Sequence, residues 1–316
     1  MFAGLAARTD DVPPWVALVV AVLAVSTSAP LVRLSEAPST VKALYRVAFM
    51  TAIVAPIALR RGSGDFERIG RKDLGVALVA GVALAAHFAL WFVSLDLTTI
   101  AASATLVQTQ PLFVALGGWA LLDERVTTKT VVGILIAVLG ASLMGLDAAS
   151  NSGASAPLLG NVLAVLAAAM ASGYVLAGRS LRQRIRVFPY VTVVYAACTV
   201  VLLGVVLVQG HDLLGYPPRE WALFLAMAVG PGIFGHTVVN WVLERVESWV
   251  VSVSLLGEPV GSALLALALF AEVPGLLTIG GGAVVLVGIG LTVFSREKGD
   301  TDDEDVDSAR ADVPAE

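Results

Sequence analysis

This chain of 316 residues has little charge: 14% of its residues are Asp, Glu, Lys or Arg. A water-soluble domain usually carries about 25%, so there are too few to coat a water-facing surface. That excludes a soluble enzyme of ordinary kind, a nucleic-acid binder and a disordered scaffold. The one cysteine, Cys198, excludes a disulfide framework and a thiolate metal site. Enzyme motifs are missing too. There is no HExxH, no GxSxG with a His base, and no Asp-rich metal motif in a membrane-facing loop. No GxxxxGK[ST] phosphate loop is present, so ATP does not drive whatever the chain does. Neither a cofactor nor a resident metal is expected.

What the chain has is apolar length. Hydrophobic residues make up 57% and the mean hydropathy is +0.85. A helix needs about 20 mainly apolar residues to cross a hydrocarbon core of roughly 30 Å. Backbone groups in lipid must be satisfied within the segment, so these non-alternating runs are helices. Ten spans are predicted: 14–33, 38–59, 75–95, 99–121, 129–148, 157–178, 188–209, 221–243, 249–270 and 275–294. The fold class is an all-α membrane protein. The connections are too short for a soluble domain. The first span follows Asp10-Asp11 rather than a basic region, which argues against a cleaved signal peptide.

Charge orients the chain. The formal net charge of −5 comes from the tail, where residues 296–316 hold nine acidic and three basic residues, a net −6. With the N-terminus inside, 16 of the 20 Lys and Arg fall in cytoplasmic segments, chiefly residues 60–74 and 179–186. The positive-inside rule therefore predicts cytoplasmic termini in a cell membrane. Residues 1–13 read as a cytoplasmic N-terminus and 295–316 as an acidic, disordered cytoplasmic tail.

The chain also repeats. A shift of 148 residues lays Pro111 on Pro259, Glu124 on Glu272, Thr130 on Thr278, Gly133 on Gly281 and Gly140 on Gly288. A shift of 146 pairs Ser26 with Ser172 and Arg33 with Arg179, and one of 149 pairs His87 with His236. Each copy holds five spans, 14–148 and 157–294, joined by a linker at 149–156. Five is odd, so the second copy enters the bilayer from the other side. Inverted repeats are a recurring architecture of secondary transporters, with binding sites near the midplane.

The residues carrying this pattern resemble a known family. Arg46, the run His87-Phe88-Ala89-Leu90-Trp91-Phe92, and the paired sets Pro111, Glu124, Gly133, Gly140 and Pro259, Glu272, Gly281, Gly288 are similar to the EamA-type drug/metabolite transporters. The resemblance covers residues 14–294. It implies ten helices in two inverted halves around a cavity lined mainly by spans 1, 3, 4, 6, 8 and 9. It also implies a small-molecule solute: an amino acid, another metabolite or a drug-like compound, often exported. Span 7 lacks a counterpart to Arg46.

Ionisable residues deep in a span are costly and face a cavity or a partner. Four stand out. At about 1.5 Å per residue, His236 and Glu258 lie roughly 10 and 14 Å from the cytoplasmic ends of their spans, and Arg46 and His87 roughly 20 and 18 Å. Depth alone matches Glu258 with His236, and Arg46 with His87. Glu258 has the neutral Gln110 at its repeat-equivalent position. A carboxylate there can take and release a proton during transport, or it is a fixed ion-pair partner. His87 with Trp91, and His236 with Asn240, lie four apart on one helix face. Each pair either contacts solute or bonds a neighbouring helix. Arg46 suits a carboxylate, on the solute or on the protein. Glu124 and Glu272 sit at span ends, where they cap the following helix, pair with a neighbour, or gate one side of the cavity. Gly230-Pro231-Gly232 predicts a break in span 8, and Pro111 and Pro259 are matched hinge candidates. The function predicted is a secondary transporter cycling by alternating access, an exporter with proton coupling open to it. A passive channel or structural subunit is the alternative, and an intramembrane enzyme has the least support.

Overall fold

The computed structural model describes residues 12–97, 103, 106–124, 126–148, 156–270, 276–277 and 279–291. The acidic tail, Glu272 and most of the 149–156 linker lie outside them.

Among the described residues the chain is helical and has no strand. The elements are α1 (Pro14–Ser26), α2 (Ser28–Leu34), α3 (Ser39–Glu67), α4 (Arg71–Leu97), α5 (Gln110–Leu122), α6 (Thr128–Ala148), α7 (Pro157–Arg182) and α8 (Val187–Val208). Then come α9 (Pro218–Met227), a π-helical segment (Ala228–Thr237), α10 (Val238–Val242), α11 (Ser248–Leu255), α12 (Glu258–Phe270) and α13 (Ile279–Leu291). Proline opens α1, α5, α7 and α9. It belongs there, since the first turn needs no N–H from it.

Seven stretches are long and apolar enough to cross a membrane: Pro14–Val32, Ser39–Arg60, Arg71–Ser94, Leu158–Arg182, Val187–Val208, Pro218–Val242 and Ser248–Leu269. Each falls on an expected span. At the three other expected positions the described residues hold shorter apolar helices, Gln110–Leu122, Thr128–Gly140 and Ile279–Leu291. Leu23, Val79, Leu139 and Val200 are exposed on the outside of the bundle. Water would penalise so wide an apolar surface, and hydrocarbon does not.

Spans broken in the sequence are broken in space. Between α1 and α2, Thr27 turns its hydroxyl back to the Ala24 carbonyl at 2.6 Å. Between α11 and α12, the chain turns just before Glu258-Pro259. In span 8, Gly230-Pro231-Gly232 lies within the π-helical segment. Proline has no N–H and its ring crowds the preceding turn, so the α pattern gives way there.

The repeat copies meet reciprocally. Thr51 Oγ1 lies 3.3 Å from Thr199 Oγ1, and these two residues are repeat equivalents. Ser26 donates to the Glu258 carbonyl at 3.3 Å, and Ser172 donates to the Gln110 carbonyl at 3.1 Å. The closest reciprocal approach is α6 on α13. A Cβ at Gly140 would sit 2.6 Å from the Gly281 carbonyl oxygen, and one at Gly288 would sit 2.6 Å from that of Gly133. Backbone faces backbone there, so nothing can give way. Gly288→Leu should therefore cost on the order of 1–3 kcal/mol by overpacking. Gly280→Leu, where no atom lies within 4 Å, is the control. Thermal unfolding of both variants in detergent checks this, with a drop expected for Gly288→Leu alone.

The two ends differ chemically. One carries Arg184 with Asp73 at 2.9 Å and Arg186 with Asp65 at 3.3 Å, and is called the basic end below. At the other end the Glu220 carboxylate accepts from Ser35 Oγ and, at 3.1 Å, from Glu36 N, tying α9 to the α2–α3 turn.

Candidate functional site

The middle of the bundle is organised by Arg46 on α3, only 3% exposed. Its Nη1 donates to Ser28 Oγ at 3.1 Å and its Nη2 to the Pro231 carbonyl at 3.4 Å. The guanidinium lies 5.1 Å from the centre of the Phe88 ring. One side chain thus gathers the α1–α2 break, the π-helical segment and α4. Its Nε is buried with no hydrogen-bond partner among the described residues.

Glu258 opens α12 and keeps part of its surface accessible. Its carboxylate makes no hydrogen bond and no ion pair within 4.0 Å among the described residues. The charge that bears on it is Arg46. The carboxylate also sits in the first turn of a helix, where the backbone dipole favours an anion. Gln110, half-buried, opens α5 in the same way.

The histidines turn to neither charge. His87 Nδ1 lies 3.0 Å from the Ala167 carbonyl on α7. A carbonyl only accepts, so Nδ1 carries a proton, and in the neutral ring Nε2 is left as an acceptor. Trp91 stacks on His87 with centroids 5.9 Å apart and planes at 22°, as their four-residue spacing predicts. The buried Trp91 Nε1 has no partner among the described residues. His236 packs between aromatic rings, 6.0 Å from Phe88 and 6.1 Å from Tyr174. The depth-matched pairs, Glu258 with His236 and Arg46 with His87, form no hydrogen bond among the described residues. Depth along a helix leaves the facing direction open, and both rings face aromatic or backbone neighbours.

Asn240 is fully buried. Its Nδ2 donates to the Tyr174 hydroxyl and, at 2.7 Å, to the His236 carbonyl. It braces α10 against α7. Pro231 is buried within the π-helical segment and Pro111 at the start of α5. Pro259 is the second residue of α12. Ser28, Tyr174 and Tyr195, whose hydroxyl lies 3.1 Å from Thr237 Oγ1, are site neighbours that sequence reasoning missed. Their signal was a hydroxyl inside an otherwise apolar span. No cluster of metal-ligating side chains occurs among the described residues.

The arrangement, a fixed cation over an aromatic ring and a carboxylate that makes no bond among the described residues, suits recognition of a solute. The EamA-like transporter family matches residues 14–146 and 158–294. The chain belongs to that family. It is similar to the pseudopaline exporter CntI of Pseudomonas aeruginosa, 29% identical over 254 residues that cover 80% of this chain and 86% of the exporter. An uncharacterized transporter of Archaeoglobus fulgidus is 23% identical over 71% of this chain and 77% of its own length. YetK of Bacillus subtilis, also an uncharacterized transporter, is 24% identical over 81% and 78%. A solved crystal structure shares the fold, with a TM-score of 0.77 at 21% identity, covering 89% of this chain and 97% of that one.

In this EamA-like membrane transporter, two crevices lie away from the central residues. One of about 280 Å³ opens at the end opposite the basic one, lined by Ala37, Pro38, Ser39, Thr40, Phe92, Val93, Gln209 and His211. Phe92 stands 5.9 Å from Phe88, between this crevice and Arg46. The other, about 380 Å³, lies at the basic end beside Trp119, Asp123, Glu124, Val126 and Thr127. Glu124 itself is 7% exposed. It accepts from Arg179 Nε at 3.1 Å, from Ser248 N at 3.0 Å and from Ser248 Oγ at 2.6 Å. The Ser248 amide belongs to the first turn of α11, so Glu124 caps a helix, though not the one that follows it in sequence.

Proposed function

We propose that this EamA-like transporter is an alternating-access exporter of a small organic solute, an amino acid, another metabolite or a drug-like compound, coupled to protons through Glu258. The observation that carries this is that Arg46 and Glu258 both meet the broken first span, at Ser28 and Ser26, with no bond between the guanidinium and the carboxylate. A buried pair with ideal geometry would be a strut. A carboxylate with no bond of its own can exchange its partner for a proton or for a group on the solute. His87, His236, Trp91 and Gln110 are each partly accessible, as a solute contact requires. The name of the Pseudomonas relative supports the outward direction.

In this reading ten helices cross the membrane as two inverted halves, 14–148 and 157–294. The three shorter helices, Gln110–Leu122, Thr128–Gly140 and Ile279–Leu291, belong to the fourth, fifth and tenth crossings. The basic end and both termini face the cytoplasm, following the sorting of Lys and Arg. Flux of labelled amino acids and organic cations in proteoliposomes tests it. A carrier shows saturation and counterflow. Unsaturable flux would indicate a channel, and a chemically altered solute an enzyme.

A further inference from the structure

We infer that Glu124 is the latch that holds the basic end of this transporter shut. The inference rests on the alternating-access reading. A polar seam runs there between α7 and residues 240–248. Arg179 Nη1 donates to the Leu243 carbonyl at 3.0 Å while its Nε holds Glu124. One turn on, Arg182 donates from Nε to the Asn240 carbonyl at 2.9 Å and from Nη2 to the Glu244 carboxylate. Glu124 closes the seam. It follows α5, and its two oxygens reach α7 through Arg179 and α11 through Ser248 at once. Other acidic ties act locally by comparison. Asp73 holds only the α7–α8 turn, and Glu220 only the α2–α3 turn.

At the opposite end the charged ties join α9 to the α2–α3 turn, with Glu220 on Ser35 and Glu36 and Arg219 donating to the Leu34 carbonyl at 2.9 Å. By repeat position, Asn240 and Leu243 correspond to residues 91 and 94 on α4. Trp91 leaves its indole N–H unbonded, and Ser94 donates to Ser103 at 2.8 Å rather than across to the α2–α3 turn. The crevice beside Phe92 opens at that end instead. Among the described residues, the basic end is thus held by one carboxylate that bridges three helices through α7 and α11. Any cycle that opens the basic end must break the Glu124 contacts first. The carboxylate lies directly on the α5 backbone, since a Cβ at Gly118 would sit 2.6 Å from Oε2. It therefore has little room to follow α11 outward.

Glutamine at this position keeps the shape but presents one acceptor oxygen, and its amide donors oppose Arg179 and Ser248. The test uses the full chain with Cys198→Ala as parent and one reporter cysteine, Val175→Cys. Val175 is 2% exposed on α7, between the level of Ser172 and Arg179. A membrane-impermeant maleimide is added from the basic side of vesicles of known insertion. Glu124→Gln should raise the labelling rate about tenfold or more by shifting the population toward a basic-end-open state. Ser248→Ala, which keeps the α11 amide bond, should raise it by a smaller factor. A second reporter, Thr40→Cys at the far crevice, probed with the same maleimide added from the opposite side, should label more slowly in both.

Unchanged rates at both reporters in folded variants would overturn the latch. Should Glu124→Gln not fold, unchanged rates in Ser248→Ala alone would do so. A rise at both reporters together would also overturn it, since that reports loosening rather than a switch. Counterflow by the parent in the same vesicles judges the carrier reading separately. Counterflow with unmoved labelling sinks only the latch. Shifted labelling with no counterflow sinks only the carrier.

Discussion

Replacing Arg46 with Gln should abolish transport and destabilise the protein, and a second change should rescue the stability alone. Arg46 joins two broken or irregular segments to the regular helix α4. It bonds Ser28 beside the α1–α2 break, the Pro231 carbonyl in the π-helical segment, and the face of Phe88. Its charge is also the one that bears on Glu258. Removing Arg46 leaves the Glu258 carboxylate without its counter-charge inside the bundle, at a cost of about 1–3 kcal/mol. A transporter that loses about 3 kcal/mol of solute positioning slows by a factor of roughly 100. Arg46→Lys should do almost as badly, because an ammonium has no planar fork to reach Ser28 and Pro231 together. Arg46→Gln with Glu258→Gln removes both charges, so most of the lost stability should return while transport does not. Thermal unfolding and flux in the same four preparations read this out. Equal stability in the single and double variants would mean the two charges are independent.

Much of this architecture could be read from residues and spacing, and the reasons differ from feature to feature. Gly140 and Gly288 were legible because a close backbone approach tolerates only glycine, and the repeat places both at one offset. The contact itself, α6 on α13, needed coordinates. The irregular segment around Pro231 was legible because a proline between two glycines cannot continue an α pattern. Its role as an acceptor for Arg46 was not, since the two lie 185 residues apart. Arg46, His87, His236 and Glu258 stood out by the cost of placing such groups in lipid. Their partners did not, because depth along a helix says nothing about facing direction. His87 finds a backbone carbonyl, and Asn240 bonds a tyrosine on α7. Glu124 reads as a helix cap, a partner for a neighbour or a gate. Its partners, Arg179 and Ser248, are set by how two non-adjacent helices cross.

Glu258→Gln should separate solute exchange from proton-driven transport. The substitution takes away the counter-charge of Arg46 and should lower stability, but the fold already accommodates glutamine at the equivalent place. Gln110 stands at the repeat-equivalent place, opens α5 as Glu258 opens α12, and receives the equivalent serine bond on its carbonyl. Glutamine at 258 should therefore fold and keep its helix start. It cannot bind and release a proton. Counterflow of solute across equal pH should persist within about twofold, since exchange needs only that the site be reached from both sides. Accumulation against a gradient in response to an imposed pH difference should fall by about tenfold or more, and its pH dependence should flatten. Gln110→Glu is the converse. It adds a second carboxylate at the same level without a second arginine, because the position equivalent to Arg46 is Val194. That variant should lose stability rather than gain a coupling site, since the added charge has no cation of its own to face. Full pH-driven accumulation by Glu258→Gln would leave Glu258 a structural counter-charge to Arg46 and place the coupling group elsewhere. A loss of exchange and accumulation together would instead make Glu258 a contact for the solute. The three outcomes are distinct because exchange and accumulation are measured on the same vesicles with the same solute.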